Sequence, residues 1–284
     1  GYEDGSFQPQ GDITRAEVSA IVYRVYTQDV KDAKASMYAT YNKFSDMADA
    51  GWAQGYIGYC ANAELVKGYP DGTFKPSGKV TGYEVLAMIL RAVGYDKNGE
   101  FSGADWALHV AQTAQQAGVL KNVKGIDLNA PATRELVAEL LFRAIADAST
   151  VNYTPAFGYV TDKVLKLDES TLGYKNFKLV GKADADVFGR PATKWSYNVG
   201  DKSTLVVDKP VASYTTKVDE CDIAKDLGIS SSKSIEKAYI DGASQTVTTS
   251  VVTTDRNGKI DPKATTSLVG AQGRLTEVYD MGSA

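Results

Sequence analysis

Two arginines stand where a cation is electrostatically out of place. Arg15 and Arg134 each follow a threonine, Thr14 or Thr133, that opens a stretch of helix-period apolar residues, so each takes the first helical position. The positive end of the helix macrodipole disfavours a cation there by about a few tenths of a kcal/mol. An anion bound beside the guanidinium would relieve the conflict, and free first-turn amides would add donors, giving a pocket suited to a carboxylate or phosphate. The competing reading is an internal pair with a nearby Asp, or a solvated side chain. Thr81 opens a third such stretch, but Gly82 replaces the arginine. If arginine carries binding, that third pocket is the weakest.

Other side chains offer less. Trp52 and Trp106 open apolar stretches and read as core, with a platform for a sugar face as the functional alternative. Asp4-Gly5 and Asp71-Gly72 are turn chemistry first and a binding loop second. Glu17 and Glu84 lie three residues after Thr14 and Thr81, the spacing of a capping box, whereas Leu136 breaks the box after Thr133. The candidate ligand-binding set is therefore Arg15, Arg134, Thr14, Thr81, Thr133, Trp52, Trp106, Asp71 and Gly72, with Glu17 and Glu84 as structural caps. His109 has no Ser or Cys motif beside it and too few partners for a triad or a metal site. Residues 255–261 (Asp-Arg-Asn-Gly-Lys-Ile-Asp) lack the downstream Glu of a calcium loop, and Asn257-Gly258 reads as a hairpin turn. No pair of carboxylates stands out for glycosidase chemistry. No catalytic residue, metal site or cofactor is expected, with calcium in the β-rich part left as an open alternative.

The elements that must position these residues are repeats. Gly1-Tyr2-Glu3-Asp4-Gly5-Ser6-Phe7 recurs as Gly68-Tyr69-Pro70-Asp71-Gly72-Thr73-Phe74, and Thr14-Arg15-Ala16-Glu17-Val18 recurs at the same offset from Thr81 and again from Thr133. After each threonine, apolar residues return at i, i+3, i+4, i+7 and i+8: Val18, Ile21, Val22, Val25, Tyr26, then the sets beginning at Val85 and Val137. That is one buried stripe of an α-helix, written three times. A leading helix precedes two of the three, with Trp52, Ala53, Tyr56, Ile57 and Cys60 matching Trp106, Ala107, Val110, Ala111 and Ala114. The expected fold class is α+β and multidomain: a repeat module over 1–148 (repeats about 1–43, incomplete, then 44–100 and 101–148), a linker over 149–158, and a β-rich domain over 159–284. Within the last, strands are expected near 164–167, 177–180, 195–199, 204–208, 214–218, 245–254 and 274–279, with one helix over 222–227.

Composition bounds the rest. The 284 residues are 43% hydrophobic and 23% charged, the proportions of folded protein. With 31 Lys+Arg against 35 Asp+Glu, no global positive field gathers nucleic acid or anionic lipid, and no apolar run approaches the roughly 18 to 20 residues of a membrane helix, so neither nucleic-acid binding nor membrane insertion is expected. Two distant cysteines, Cys60 and Cys221, make no disulfide framework. The opening Gly1-Tyr2 inside a repeat reads as a piece of something longer.

The Gly-Tyr-Pro-Asp-Gly-Thr-Phe loop followed by Thr-Arg-Ala-Glu, with Phe44-Ser45-Asp46 and Trp52-Ala53 upstream, resembles the S-layer homology family over residues 1 to about 148. The resemblance implies a three-repeat module about a pseudo-threefold axis that anchors exported bacterial proteins noncovalently, its grooves recognising secondary cell-wall polysaccharide, often pyruvylated. It implies an extracellular place at the wall or surface layer, an anionic glycan partner and self-association. The alternatives are an envelope polysaccharide-active enzyme that uses the repeats as its anchor, and a lattice-assembly interface. A pyruvate carboxylate is the anion that Arg15 and Arg134 call for.

Overall fold

In the computed structural model of the chain, residues 2, 4–29, 31–121, 123, 125–161, 170–196, 203–216, 223, 226–227, 238–240, 243–245 and 275–279 are described. The expected strand at 164–167 and the residues 255–261 lie outside them, as do Cys221, half of 222–227 and all but the first residue of 245–254. The chain is a mixture of helices and small sheets in two compact units, the first covering Gly1–Val180.

Three trailing helices follow the three threonines: α1 (Arg15–Thr27), α4 (Gly82–Val93) and α6 (Arg134–Ala146). Thr14 and Thr81 close full capping boxes with Glu17 and Glu84, while Thr133 caps with its hydroxyl alone. Gln28 in the left-handed region ends α1, and Gly94 at φ 121 ends α4. Between them lie the short α2 (Ala33–Ser36), a 3-10 stretch over Met47–Ala53, and the leading helices α3 (Gln54–Asn62) and α5 (Trp106–Gln116). The 3-10 stretch breaks at Gly51 (φ 51), so Trp52 precedes the α-helix it was expected to open.

The apolar stripes meet in one core. Val18 and Val22, Val85 and Ile89, and Val137 and Leu140 are buried together with Ile57, Cys60, Val110 and Ala114 of the leading helices. The stripes loosen at some positions: Tyr26 is 40% exposed, and Ile21, Val25 and Ile145 are only partly buried.

The segments just before the trailing helices bind one another in a closed cycle. Ile13 N–H donates to Ala132 O (3.1 Å), Ala132 N–H to Val80 O (2.8 Å), and Val80 N–H to Ile13 O (3.3 Å). The three residues hold equivalent places in the three repeats, and all three are buried. Each is a donor and an acceptor with no water to turn to, so each depends on the other two repeats.

The first unit does not stop at 148. Strands β1 (Val151–Thr154) and β2 (Gly158–Thr161) form an antiparallel hairpin where a linker was expected, and α7 (Leu172–Phe177) packs Leu172 into the repeat core. Thr150 N–H donates to Ser170 O at 2.8 Å, tying hairpin to helix. The reason is burial: Ala148, Val151 and Leu172 are all buried, Ala148 and Leu172 in the repeat core itself. The expected strand at 177–180 is correspondingly the end of α7 and the first residue of β3.

The second unit is built of small sheets: β3 (Val180–Ala185), β4 (Pro191–Ser196) and β5 (Ser203–Val207) in that order with β4 and β5 antiparallel, then the antiparallel pairs β6 (Ala212–Tyr214) with β9 (Thr276–Val278) and β7 (Ala238–Ile240) with β8 (Ala243–Gln245). Ala192 faces Val207 and Ser196 faces Ser203 across the β4/β5 pair.

Ile13→Ala removes buried apolar volume at the centre of the cycle and should cost about 2–4 kcal/mol. Tyr26→Ala should stay within about 0.5 kcal/mol. Urea unfolding of both variants checks the pair, and equal midpoints would contradict a core centred on the cycle.

Candidate functional site

Each trailing helix starts against the turn-rich loop of the next repeat in the cycle, and that contact decides what its first turn can bind. Arg15 N–H donates to Gly78 O and Ala16 N–H to Pro76 O; Arg134 N–H donates to Gly11 O and Glu135 N–H to Pro9 O. In the second helix Tyr83 N–H donates to Leu128 O. The third amide of each helix goes to its own threonine hydroxyl: Glu17 to Thr14, Glu84 to Thr81, Leu136 to Thr133. These amides are spent within the protein. The expectation of free first-turn donors is corrected here, because the neighbouring loop's carbonyls take them.

The arginines are spent in the same way. Arg15 is 3% exposed. Its Nε donates to Phe74 O (2.8 Å), Nη2 to Lys67 O (2.9 Å) and Nη1 to Glu84 Oε1 (2.9 Å). The guanidinium carbon lies 4.5 Å from the Tyr69 ring centroid and 4.6 Å from that of Phe74. Arg134 repeats this arrangement on the first loop: Nε donates to Phe7 O (2.8 Å), Nη1 reaches Glu17 Oε1 at 3.4 Å, and the rings of Tyr2 and Phe7 lie 4.7 and 5.2 Å away. The anion that the helix start calls for is therefore supplied by the capping-box glutamate of the following repeat. For Arg15 this replaces the open anion grip; every nitrogen of its guanidinium is hydrogen-bonded. Arg134 is looser, with one carbonyl, a longer ion pair and no hydrogen bond at its second terminal nitrogen among the described residues.

The junction without an arginine is complementary in another way. A Cβ added to Gly82 would lie 2.8 Å from Leu128 Cδ2 and 3.0 Å from Leu128 Cα, so the third loop presses its leucine onto the helix start. Its would-be partner glutamate is also absent, since Leu136 holds that place. Glycine for arginine in repeat two and leucine for glutamate in repeat three are two halves of one replaced ion pair.

The other candidates separate. Thr14, Thr81 and Thr133 are caps. Asp71 accepts from the Thr73 hydroxyl and amide, contacts that hold its carboxyl below the usual carboxylate range, and Gly72 sits at φ 81 in the same turn. Trp106 is half-buried against Tyr83, ring centroids 6.4 Å apart. Trp52 is 64% exposed, edge-on to Tyr56 at 5.8 Å. It is thus the one tryptophan of the two that offers a face to solvent. The His109 Nδ1 lies 2.9 Å from Glu100 O, and no three potential metal ligands cluster among the described residues.

One constellation escaped the sequence pattern. Asp96 accepts from Arg91 Nε (2.7 Å), Lys67 Nζ (2.9 Å) and Phe101 N–H (2.8 Å). Burial works to raise its pKa, but Lys67, the Phe101 amide and Arg91 outweigh it and hold the carboxyl below the usual range. Lys67 also lends its carbonyl to Arg15, so this cluster braces the clamp. Tyr69 belongs to it as well: burial, then its 2.6 Å hydrogen bond to Glu84, pushes the phenol up to about 12.

Residues 1–19 and 43–86 match the S-layer homology domain. Those two segments are S-layer homology sequence. Among its relatives, "Surface layer protein" of Brevibacillus choshinensis is 27% identical over 72% of this chain and 16% of its own length. "Middle cell wall protein" of Brevibacillus brevis is 27% identical over 63% of this chain and 16% of its own length. "Cellulosome-anchoring protein" of Acetivibrio thermocellus is 38% identical over 32% of this chain and 20% of its own length. Other relatives are glycosidases by name. The chain thus spans about a sixth of the length of the first two, by the 16% coverage of each. The S-layer homology repeats and these surface-layer and cell-wall relatives place the protein outside the cell, at the bacterial wall. No helix among the described residues is long and apolar enough to cross a membrane.

Arg15→Ala leaves Glu84 and two carbonyls without their donor and should cost about 3–5 kcal/mol; Arg134→Ala, on a longer pair, should cost less. Chemical unfolding orders the two, and the reverse order would refute the clamp. Tyr69 titrates higher folded than unfolded, so its contribution to stability is whole below about pH 10. That contribution is lost as pH rises through about 12. Tyr69→Phe should remove this alkaline component from a pH series of unfolding midpoints.

Proposed function

We propose that the first unit anchors an exported surface protein to the cell wall without a covalent bond, by binding an anionic secondary cell-wall polysaccharide, with pyruvylated sugar as the ligand class. The observation that carries the reading is the match of two loop-and-helix-start segments to the S-layer homology domain, in a unit whose three helix starts interlock. Anchoring is also the named role of one relative. No catalytic step is assigned to this chain.

Arg15 and the first-turn amides of α1 and α6 are committed internally, so the reading puts the glycan contact elsewhere. Two side chains remain from the ligand set. Arg134 keeps one terminal nitrogen uncommitted among the described residues and can donate to a carboxylate. Trp52 presents an exposed apolar face of the kind on which a sugar ring stacks. Self-association in a surface layer is a further expectation of the reading, carried by the family and its surface-layer relatives.

The protein should bind immobilised wall polysaccharide and lose at least about tenfold in affinity, or about 1.4 kcal/mol, once mild acid removes the pyruvate ketals. Binding that survives ketal removal unchanged rejects the anionic ligand, and failure to bind either polymer rejects the anchor. Trp52→Ala should weaken binding by about tenfold with the unfolding midpoint unchanged, since the ring is exposed.

A further inference from the structure

Residues 149–161 and 170–180 touch the C-terminal end of every trailing helix. At α4, Val151 O passes so close to Gly94 that a Cβ there would lie 2.1 Å from it, and Tyr159 packs on Tyr95 with ring centroids 5.1 Å apart. The Tyr159 hydroxyl accepts from Lys97 N–H and donates to Glu100, both at 2.8 Å. At α6, Gly173 sits against the last turn, where a Cβ would come within 2.6 Å of Ile145 O. At α1, Asn176 Nδ2 donates to Val25 O at 2.9 Å. Hairpin and α7 act as one piece, because Thr150 N–H and its hydroxyl both donate to Ser170 O, and Lys175 Nζ donates to the Thr150 hydroxyl.

From this we infer that residues 149–161 and 170–180 are a base plate that locks the three trailing helices at the ends opposite the Ile13, Val80 and Ala132 cycle, making the working anchor the repeats together with this plate rather than the repeats alone. Three helices pinned only at their starts can splay at their ends; the loops that meet at the starts would then shift with them. Helix ends are where orphan carbonyls must find donors, and Asn176 supplies one to α1 from more than a hundred residues away. Terminal caps of repeat arrays serve the same need, closing a face that no further repeat covers. The plate is also the last part of the unit before the chain passes into β3. Wall retention is thereby made to depend on the segment that leads to the second unit. This last consequence rests on the proposed anchoring; the lock itself does not.

Hydrogen exchange on the full chain tests the lock, and pelleting with purified Brevibacillus brevis walls tests its consequence. In Gly173→Val the new side chain meets Ile145 and should expel α7. Amides at the end of α1 (Thr27, Gln28) and after α4 (Tyr95, Lys97) should then exchange at least about tenfold faster, while those of Arg15 and Ala132 stay protected. Asn176→Ala, a milder change, should speed exchange at Thr27 and Gln28 by about fivefold, the size expected of one lost hydrogen bond. Unchanged exchange at these amides in Asn176→Ala, or in a folded Gly173→Val, overturns the lock. Fast exchange together with lost wall pelleting supports both parts, and fast exchange with full pelleting overturns the dependence of retention on the plate. Wild-type protein that never pellets refutes the anchoring proposal and leaves the lock to the exchange data.

Discussion

Three backbone hydrogen bonds, running from Ile13 to Ala132 to Val80 and back, are the constraint on which the first unit depends. All three residues are buried, so none of their peptide groups can exchange its partner for water without opening the unit. A cycle of this kind has no free end, and losing one repeat orphans groups in both others. It also fixes direction. Each helix start is delivered to the loop of the next repeat, which is why the Arg15 and Arg134 side chains reach forward along the cycle to Phe74 and Phe7, residues 67 positions apart in matching loops.

That direction explains a cation at the positive end of a helix dipole. The dipole's unfavourable effect on Arg15, about a few tenths of a kcal/mol, is small beside a 2.9 Å pair with Glu84, two carbonyl acceptors and two aromatic faces. Glu84 in turn does three jobs with one carboxylate: it accepts from the Thr81 amide, from Arg15 and from the Tyr69 hydroxyl. A capping box is ordinarily a local device. Here it is also the receiving half of a joint between repeats.

Much of this was legible in the sequence, and what was not has a physical cause. Helix starts, caps and the apolar stripes depend on residues within four positions of one another, so Thr14, Glu17 and Val18 announce α1 by themselves. The partners of Arg15 lie 52 to 69 residues away, beyond any local pattern. Yet a signal existed. Arginine and the glutamate of the next repeat are present together at two junctions and missing together at the third, as Gly82 and Leu136. Reading the repeats as a cycle rather than a row would have paired them. Trp52 shows the opposite failure: its phase said core, but Gly51 turns the backbone at φ 51 and leaves the ring outside. The hairpin and α7 were hidden because Thr154-Pro155 and Gly158 punctuate a turn as readily as a linker, and only burial of Val151 and Leu172 tells them apart.

The third junction corrects an intuition about degenerate repeats. With no arginine and a broken capping box, it looks like the weak point of the cycle. A buried ion pair, however, must recover the desolvation of both charges before it stabilises anything, and well-packed apolar groups in its place are often neutral or better. Leu128 pressed on Gly82 is such a replacement: no charge is buried, and the backbone joint is kept by Tyr83 N–H to Leu128 O. Restoring the arginine without the glutamate would be worse than either state, since the Cβ alone collides with Leu128 and the guanidinium would meet Leu136 where Glu84 stands in the first junction. The three junctions are therefore unequal in chemistry and alike in geometry. The backbone cycle defines the joint, and the side chains are two separate solutions to filling it.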